Sequence, residues 1–478
     1  MFKQTTDPAE MYIDRPTSYT DYYELTMAQG YFLQDMGNKK ATFDYFFRKV
    51  PFEGGYVVFA GLKELLETLE NFTFQDSELS YLKNEGFHPD FLEFLSDFKF
   101  SGSIYAAREG DVVFPNVPLV RVEGNLIETQ LIETLLLNIL NFQSLIATKA
   151  ARMRTAAGEK NTLLDFGLRR SQGLGGVHAT RAAFIGGFDG TSNVYSAQQF
   201  GIPASGTMAH SWVQSFDDEL ESFRAYARHF PDSTVLLVDT YNTLVQGLPN
   251  AITVAKELRK KGHELKGIRL DSGDLAYLSK KARGMLDRAG FKDVKIAASN
   301  QLDERVIASL RNQNAPIDIF GVGTRLVTGH NSPALDGVYK LSSSGSEPKL
   351  KVSENIEKIT LPGVKTVRRY LNDNGTYYAD AIGMAKNDPF EFIHHPTFPA
   401  KETDLTSRKS YPLLNEVIKE GEITTPPASA AEAANYCKEC LSKLPEEYKR
   451  FDNPHIYKVG ITPKLLNLRD QLLDHHKI

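Results

Sequence analysis

Residues 267–274 read Gly267-Ile268-Arg269-Leu270-Asp271-Ser272-Gly273-Asp274, a short apolar run that stops abruptly in carboxylates and a glycine. The same pattern recurs in TLLDFG (162–167), TVLLVDTYN (234–242), VKIAASNQ (294–301) and IDIFGVGT (317–324). The residues just past the runs are Asp165, Asp239, Asp271, Ser299 and Gly321, so the later spacings are 32, 28 and 22 residues. That is the length of a strand plus the crossover helix that a parallel neighbour requires. Serial units of this kind build an open doubly wound sheet or a closed barrel. Polar residues follow every run instead of clustering at one switch point, which predicts an irregular TIM-like α/β barrel whose ligand groups converge at the C-terminal strand ends. The intervening PNAITVAKELRKKG (249–262) and DLAYLSKKARGMLDRAG (274–290) are apolar along one side and Lys/Arg-rich along the other, as outer helices should be.

Outward from this series, 478 residues are too many for one ordinary core. Residues 1–152 read as an N-terminal α/β domain: a helix in TSYTDYYELTMAQGYF, a strand in ATFDYFFRKVP, a helix in GLKELLETLENF, then a small β substructure at 103–124 and a buried linking helix at 128–153. Residues 153–388 carry the barrel and the site. Residues 389–478 are expected to form a small, mainly helical segment after a Pro-rich loop, HHPTFPAKETDLTSRKSYP. Net charge is −5 with 55 basic and 60 acidic residues interspersed, which offers no field for nucleic acid or an anionic membrane. The N-terminus lacks a basic-then-apolar leader, and Glu133, Asn138, Asn141 and Gln143 interrupt the most apolar helix; a cytoplasmic protein is expected. The two cysteines, Cys437 and Cys440, supply half of a zinc site, and no spacing selects His394, His395, His475 or His476 to complete it.

If the strand ends share one rim, they gather Asp165, Phe166, Arg169 and Arg170, then Asp239, then Arg269, Asp271 and Asp274, then Ser299, Asn300, Gly321, Gly323 and Thr324. Arginines suit carboxylate or phosphate oxygens, and paired carboxylates such as Asp239 and Asp271 suit ribose hydroxyls or magnesium. GVGT leaving a strand offers bare backbone N–H groups to a phosphate, or simply makes a tight turn. One feature fits no metal or dyad pattern: SGTMAHS (205–211) ends small residues in His210 with no local His, Cys or carboxylate beside it.

TDYYELTM (20–27), FDYFFRKVPFEGGY (43–56), LLDFGLRRSQG (163–173), GGFDGTSNV (186–194), GTMAHS, VDTYNT, IRLDSGDL and FGVGTRLV, in that order over nearly the whole chain, resemble the nicotinate phosphoribosyltransferases of the type II phosphoribosyltransferase fold. The resemblance implies condensation of nicotinate with phosphoribosyl pyrophosphate to nicotinate mononucleotide and pyrophosphate, coupled to ATP, as the first step of NAD biosynthesis from nicotinate. It implies that His210 is phosphorylated by ATP, with Asp239 holding the other ring nitrogen. Phe166 and a partner subunit's tyrosine at the position of Tyr23 are expected to sandwich the pyridine ring, with Arg169 on its carboxylate and Ser192 where relatives acting on nicotinamide carry an acid. Arg269 and Asp271 match ribose positions; Ser299, Asn300, Gly323 and Thr324 match the 5′-phosphate site. Arg48 and Lys49 match groups reaching pyrophosphate or ATP across a homodimer interface. Magnesium is expected to travel with the phosphates, without a protein-held metal site. A nicotinamide- or quinolinate-specific enzyme and a non-catalytic nucleotide sensor are the alternatives.

Overall fold

The computed structural model describes residues 15–352 and 360–475. They fall into two compact units, residues 149–333 and a discontinuous unit built from both flanking segments.

The 149–333 unit contains the strand series. Its strands are β1 (Thr162–Asp165), β2 (Gly190–Thr191), β3 (Val235–Leu237), β4 (Gly267–Leu270), β5 (Lys295–Ser299) and β6 (Ile319–Val322). They form one sheet in the order β2-β1-β6-β5-β4-β3, and every pairing is parallel. Helices Leu248–Lys260, Leu275–Arg288 and Glu304–Asn312 make the crossovers. The apolar sides of the first two, through residues such as Val254, Leu258 and Leu286, join Leu236, Ile268 and Ile296 in a buried cluster. Removing these side chains from water is the dominant stabilising term, roughly 1.5–3 kcal/mol for each large one.

The expected closed barrel is not detected. Among the described residues β2 and β3 do not pair, so the sheet has six strands and an open seam. The local reason is the brevity of β2: after Thr191 the chain makes one parallel bridge, to Ala204, and turns into three helices before β3.

The other unit is largely antiparallel. Strand Lys40–Phe47 lies between Val120–Asn125 and Gly337–Ser344. Residues 334–388, expected to continue the barrel domain, therefore begin with a strand of this second unit. A second sheet pairs Lys365–Leu371 with Tyr377–Met384 and adds short strands from residues 392–461. The segment after residue 388, expected to be mainly helical, also carries short strands: Phe392–His394, Glu402–Asp404, Ser410–Pro412, Asn415–Lys419 and Val459–Ile461, alongside helices Ala430–Lys443, Glu446–Lys449 and Pro463–His475. Three-residue strands are too short to show a period of two in sequence. Residues 126–157 are long and apolar enough to cross a membrane, yet 72% of that apolar window is buried in the protein.

Candidate active site

The C-terminal ends of β4 and β5 lie side by side because the strands pair in register, Ala298 against Leu270. Arg269, 9% exposed, is the hub of the polar network at these ends. Its Nε donates to Ser299 Oγ at 2.9 Å, Nη1 to Thr207 Oγ1 at 2.9 Å and Nη2 to Asp271 Oδ1 at 2.9 Å. Ser299 also donates to Asp271 Oδ1. Burial raises the Asp271 carboxyl, but the Ser299 hydroxyl, the Arg269 charge and hydrogen bond and the nearby His210 outweigh it, and the net shift is downward. Asp271 is held as a carboxylate.

His210 opens the short helix His210–Gln214. Its Nδ1 lies 3.0 Å from Thr240 Oγ1 and its Nε2 3.6 Å from Asp271 Oδ2. Asp239 does not hold the ring. Its Oδ2 accepts the Asp271 backbone N–H at 2.7 Å and the Ser272 hydroxyl at 2.6 Å, while Oδ1 is buried with no hydrogen-bond partner among the described residues. Asp239 shapes the turn after β4, and Thr240, one residue on, meets the imidazole. Thr207 and Thr240 were not singled out in the sequence; their only signal was proximity to GTMAHS and VDTYNT.

The aromatic end of the site is built on β1 and β6. Phe166 is half-buried, with the Arg269 guanidinium carbon 5.5 Å from its ring centroid. Gly321 makes room for that ring: a Cβ there would sit 2.5 Å from Phe166 Cε2. Asp165, expected on the rim, is instead a buried clamp that accepts from Gly167 N–H at 2.8 Å, Thr180 Oγ1 at 2.7 Å and Thr191 Oγ1 at 2.9 Å. Burial raises its carboxyl despite these three donors. Asp274 is an N-cap, accepting from Tyr277 N–H at 3.0 Å. Arg169 and Arg170 are exposed, and their guanidinium groups make no hydrogen bond or ion pair among the described residues; only the Arg170 backbone N–H is engaged, donating to Gly167 O at 2.8 Å. Ser192 is exposed, with its N–H donating to Asp165 O at 2.8 Å.

Past β5, Asn300 and Gln301 have φ of +85° and +52°, the left-handed region that non-glycine residues seldom enter. Past β6, Gly323 precedes the one-turn helix Thr324–Val327. Tyr23, Arg48 and Lys49 belong to the other unit. Tyr23 is 45% exposed on helix Tyr22–Leu33. Arg48 and Lys49 line a cavity of about 1170 Å³ with Lys340, Lys401, Lys458 and Arg469.

Among the described residues no group of three or more His, Cys, Asp or Glu side chains is arranged to hold a metal ion. Cys437 and Cys440 are buried free thiols, and burial pushes Cys440 up to about 11. His476 lies outside the described residues.

Family comparisons cover most of the chain. Residues 19–141 match the nicotinate phosphoribosyltransferase N-terminal domain, 162–367 the nicotinate phosphoribosyltransferase family and 364–469 the nicotinate phosphoribosyltransferase C-terminal domain. A nicotinate phosphoribosyltransferase of Bacillus subtilis (strain 168) is 45% identical over 460 residues, spanning 94% of this chain and 93% of that protein. One from Caenorhabditis elegans is 38% identical over 513 residues, spanning 93% and 91%. The crystal structure of human nicotinic acid phosphoribosyltransferase superposes with a TM-score of 0.85 at 31% identity, covering 95% of this chain and 99% of that one.

Proposed function

The chain belongs to the nicotinate phosphoribosyltransferase family, and from that premise we propose that it condenses nicotinate with phosphoribosyl pyrophosphate, driven by ATP through a phosphohistidine at His210. The observation that carries the reading is the network at the ends of β4 and β5, where Arg269, Asp271 and Ser299 are locked together with His210 at its edge.

In the ribosyl transfer the pyridine nitrogen forms a bond to C1 of the sugar as the bond from C1 to the pyrophosphate oxygen breaks. The nitrogen carries no proton, so no general base is needed. The protein's task is to align the reactants and meet developing charge. Phe166 offers one face for the ring, and the guanidinium of Arg169, unpaired among the described residues, suits the carboxylate of nicotinate. Ser192 sets no negative charge against that carboxylate, which favours the acid over nicotinamide. Asp271 would accept from ribose hydroxyls, and its hydrogen bond from Arg269, which orients the carboxylate, supports that reading. Asn300, Gly323 and Thr324 are read as the 5′-phosphate cradle.

With His210 Nδ1–H donating to the Thr240 hydroxyl, Nε2 keeps its lone pair and is the nucleophile. It bonds to the γ-phosphorus of ATP as the bond to the ADP oxygen breaks. Asp271 then faces a ring that gains positive charge. Asp239 Oδ1, without a hydrogen-bond partner among the described residues, would help hold a cation brought in with the phosphates. Magnesium bound with them would neutralise pyrophosphate and the ATP phosphates. A homodimer with shared sites is part of the proposal; the exposed Tyr22, Tyr23 and Met27 on one N-terminal helix support a covered face there, and Arg48 and Lys49 would serve the neighbouring site. The proposed setting is the cytoplasm, at the entry of nicotinate into NAD synthesis.

The test is product formation with nicotinate, nicotinamide or quinolinate, each with phosphoribosyl pyrophosphate, with and without ATP and magnesium. Nicotinate mononucleotide formed from nicotinate alone and stimulated by ATP supports the proposal. Product from nicotinamide instead would reassign the substrate, and nucleotide binding without product would leave the sensor alternative.

A further inference from the structure

The loops that follow β5 and β6 are fastened to each other by a charged clasp. β5 and β6 pair with Ser299 opposite Gly321, so the loops leave the sheet as neighbours. Asp303, three residues past Asn300, is 7% exposed and does two things at once. Its Oδ1 caps helix Glu304–Asn312 by accepting Val306 N–H at 2.9 Å, and its Oδ2 accepts from Arg325 Nη1. Arg325 directly follows Thr324, on the other loop. The next residue moors the helix: Glu304 takes Lys149 Nζ at 2.8 Å and Arg152 Nε at 3.0 Å, with all three side chains at most 4% exposed. Between β5 and this clasp, Asn300 and Gln301 both hold positive φ. A residue in that conformation persists only where its surroundings over-determine it.

We propose that the Asp303–Arg325 pair is a positioning device for the phosphate end of the sugar-phosphate substrate, fixing the separation of the Ser299–Gln301 and Gly323–Thr324 loops so that both meet one phosphate. This rests on reading those loops as the 5′-phosphate cradle. Neither side chain is assigned a contact with the substrate. The pair is only partly buried, with the Arg325 side chain 26% exposed, and such pairs add little net stability, which leaves a geometric role as the account of this one.

The test uses the full-length protein and the variants Asp303→Asn, Arg325→Met, the double variant and Arg325→Lys. Asn caps a helix as well as Asp, so Asp303→Asn removes the charge and keeps the cap. Each of the first two single variants should raise KM for phosphoribosyl pyrophosphate and Kd for ribose 5-phosphate about tenfold, with kcat and the nicotinate KM changed less than about twofold. The double variant should be no worse than either single one, because one interaction is lost in all three. Arg325→Lys should recover part of the affinity. An unchanged ribose 5-phosphate Kd in folded variants, or additive losses in the double variant, overturns the clasp. A proportional fall in kcat with both KM values raised does the same, since it marks general destabilisation. A wild-type protein that makes no nicotinate mononucleotide sinks the functional reading alone, because the ribose 5-phosphate titration still decides the clasp; no ribose 5-phosphate binding to wild type sinks the clasp.

Discussion

Replacing Asp271 with Asn removes a charge while keeping the shape and the acceptor oxygen that Arg269 and Ser299 use. At the observed 3.6 Å from Asp271 Oδ2 to His210 Nε2, a full positive charge on the ring is attracted by about 5 kcal/mol at an effective dielectric near 20. The side chains are 39% and 28% exposed, and water screening together with the opposing charge of the phosphoryl group on Nε2 brings the usable part to about 1–2 kcal/mol. Turning the Arg269 bond from charge-assisted to neutral removes about 1 kcal/mol more. The sum, about 2–3 kcal/mol, corresponds to a fall of about 30- to 150-fold in ATP-driven turnover. Stability should drop by only about 1 kcal/mol, because no buried group is left unpartnered. Initial rates of nicotinate mononucleotide formation, with thermal denaturation alongside, read both. The pH dependence has a fixed sign. The folded Asp271 carboxyl lies below its ordinary value, so its contribution is present above the unfolded pKa near 3.9 and is lost as pH falls through the lower folded value. The stability gap between wild type and variant should therefore narrow below about pH 4. A folded Asp271→Asn protein with turnover within about twofold of wild type would refute the reasoning.

Gly321→Ala would place a methyl 2.5 Å from the Phe166 ring; displacing that ring should raise the nicotinate KM several-fold while leaving that for phosphoribosyl pyrophosphate within about twofold, checked by steady-state kinetics, at about 1–3 kcal/mol of overpacking. Glu24 is buried, and burial, partly offset by the Gln130 amide and reinforced by the Glu133 charge, pushes its carboxyl up to about 7. Its contribution to stability is complete below about pH 4.5 and lost as pH rises through about 7, so Glu24→Gln should flatten denaturation midpoints across that window and stabilise the protein at pH 8 by at most about 3 kcal/mol. Midpoints that stay parallel for the two proteins would contradict this.

The strand series was legible because each apolar run ends in a polar or small residue: β4 is buried at all four positions and is followed by the half-buried Asp271. Closure was not legible, since spacing reports the length of a unit and says nothing about whether its first and last strands meet. The two-residue β2 and the three-residue strands after residue 388 carry no measurable period. Within the site, charged groups were found and their partners were not. Asp165 looked like a ligand because only the fold reveals Thr180 and Thr191 closing on it. Asp239 was assigned to the imidazole, whereas the turn after β4 occupies one of its oxygens and Thr240 meets the ring. Hydroxyls such as Thr207 and Thr240 follow no pattern that separates them from ordinary turn residues.

The direct test is to incubate the protein with γ-labelled ATP and magnesium, then follow acid-labile, base-stable label at residue 210 before and after adding nicotinate and phosphoribosyl pyrophosphate. The expected result is label on wild type, none on His210→Ala, and discharge when both substrates are present. Nicotinate mononucleotide formed with ATP stimulation but without any label at His210 would contradict the phosphohistidine route.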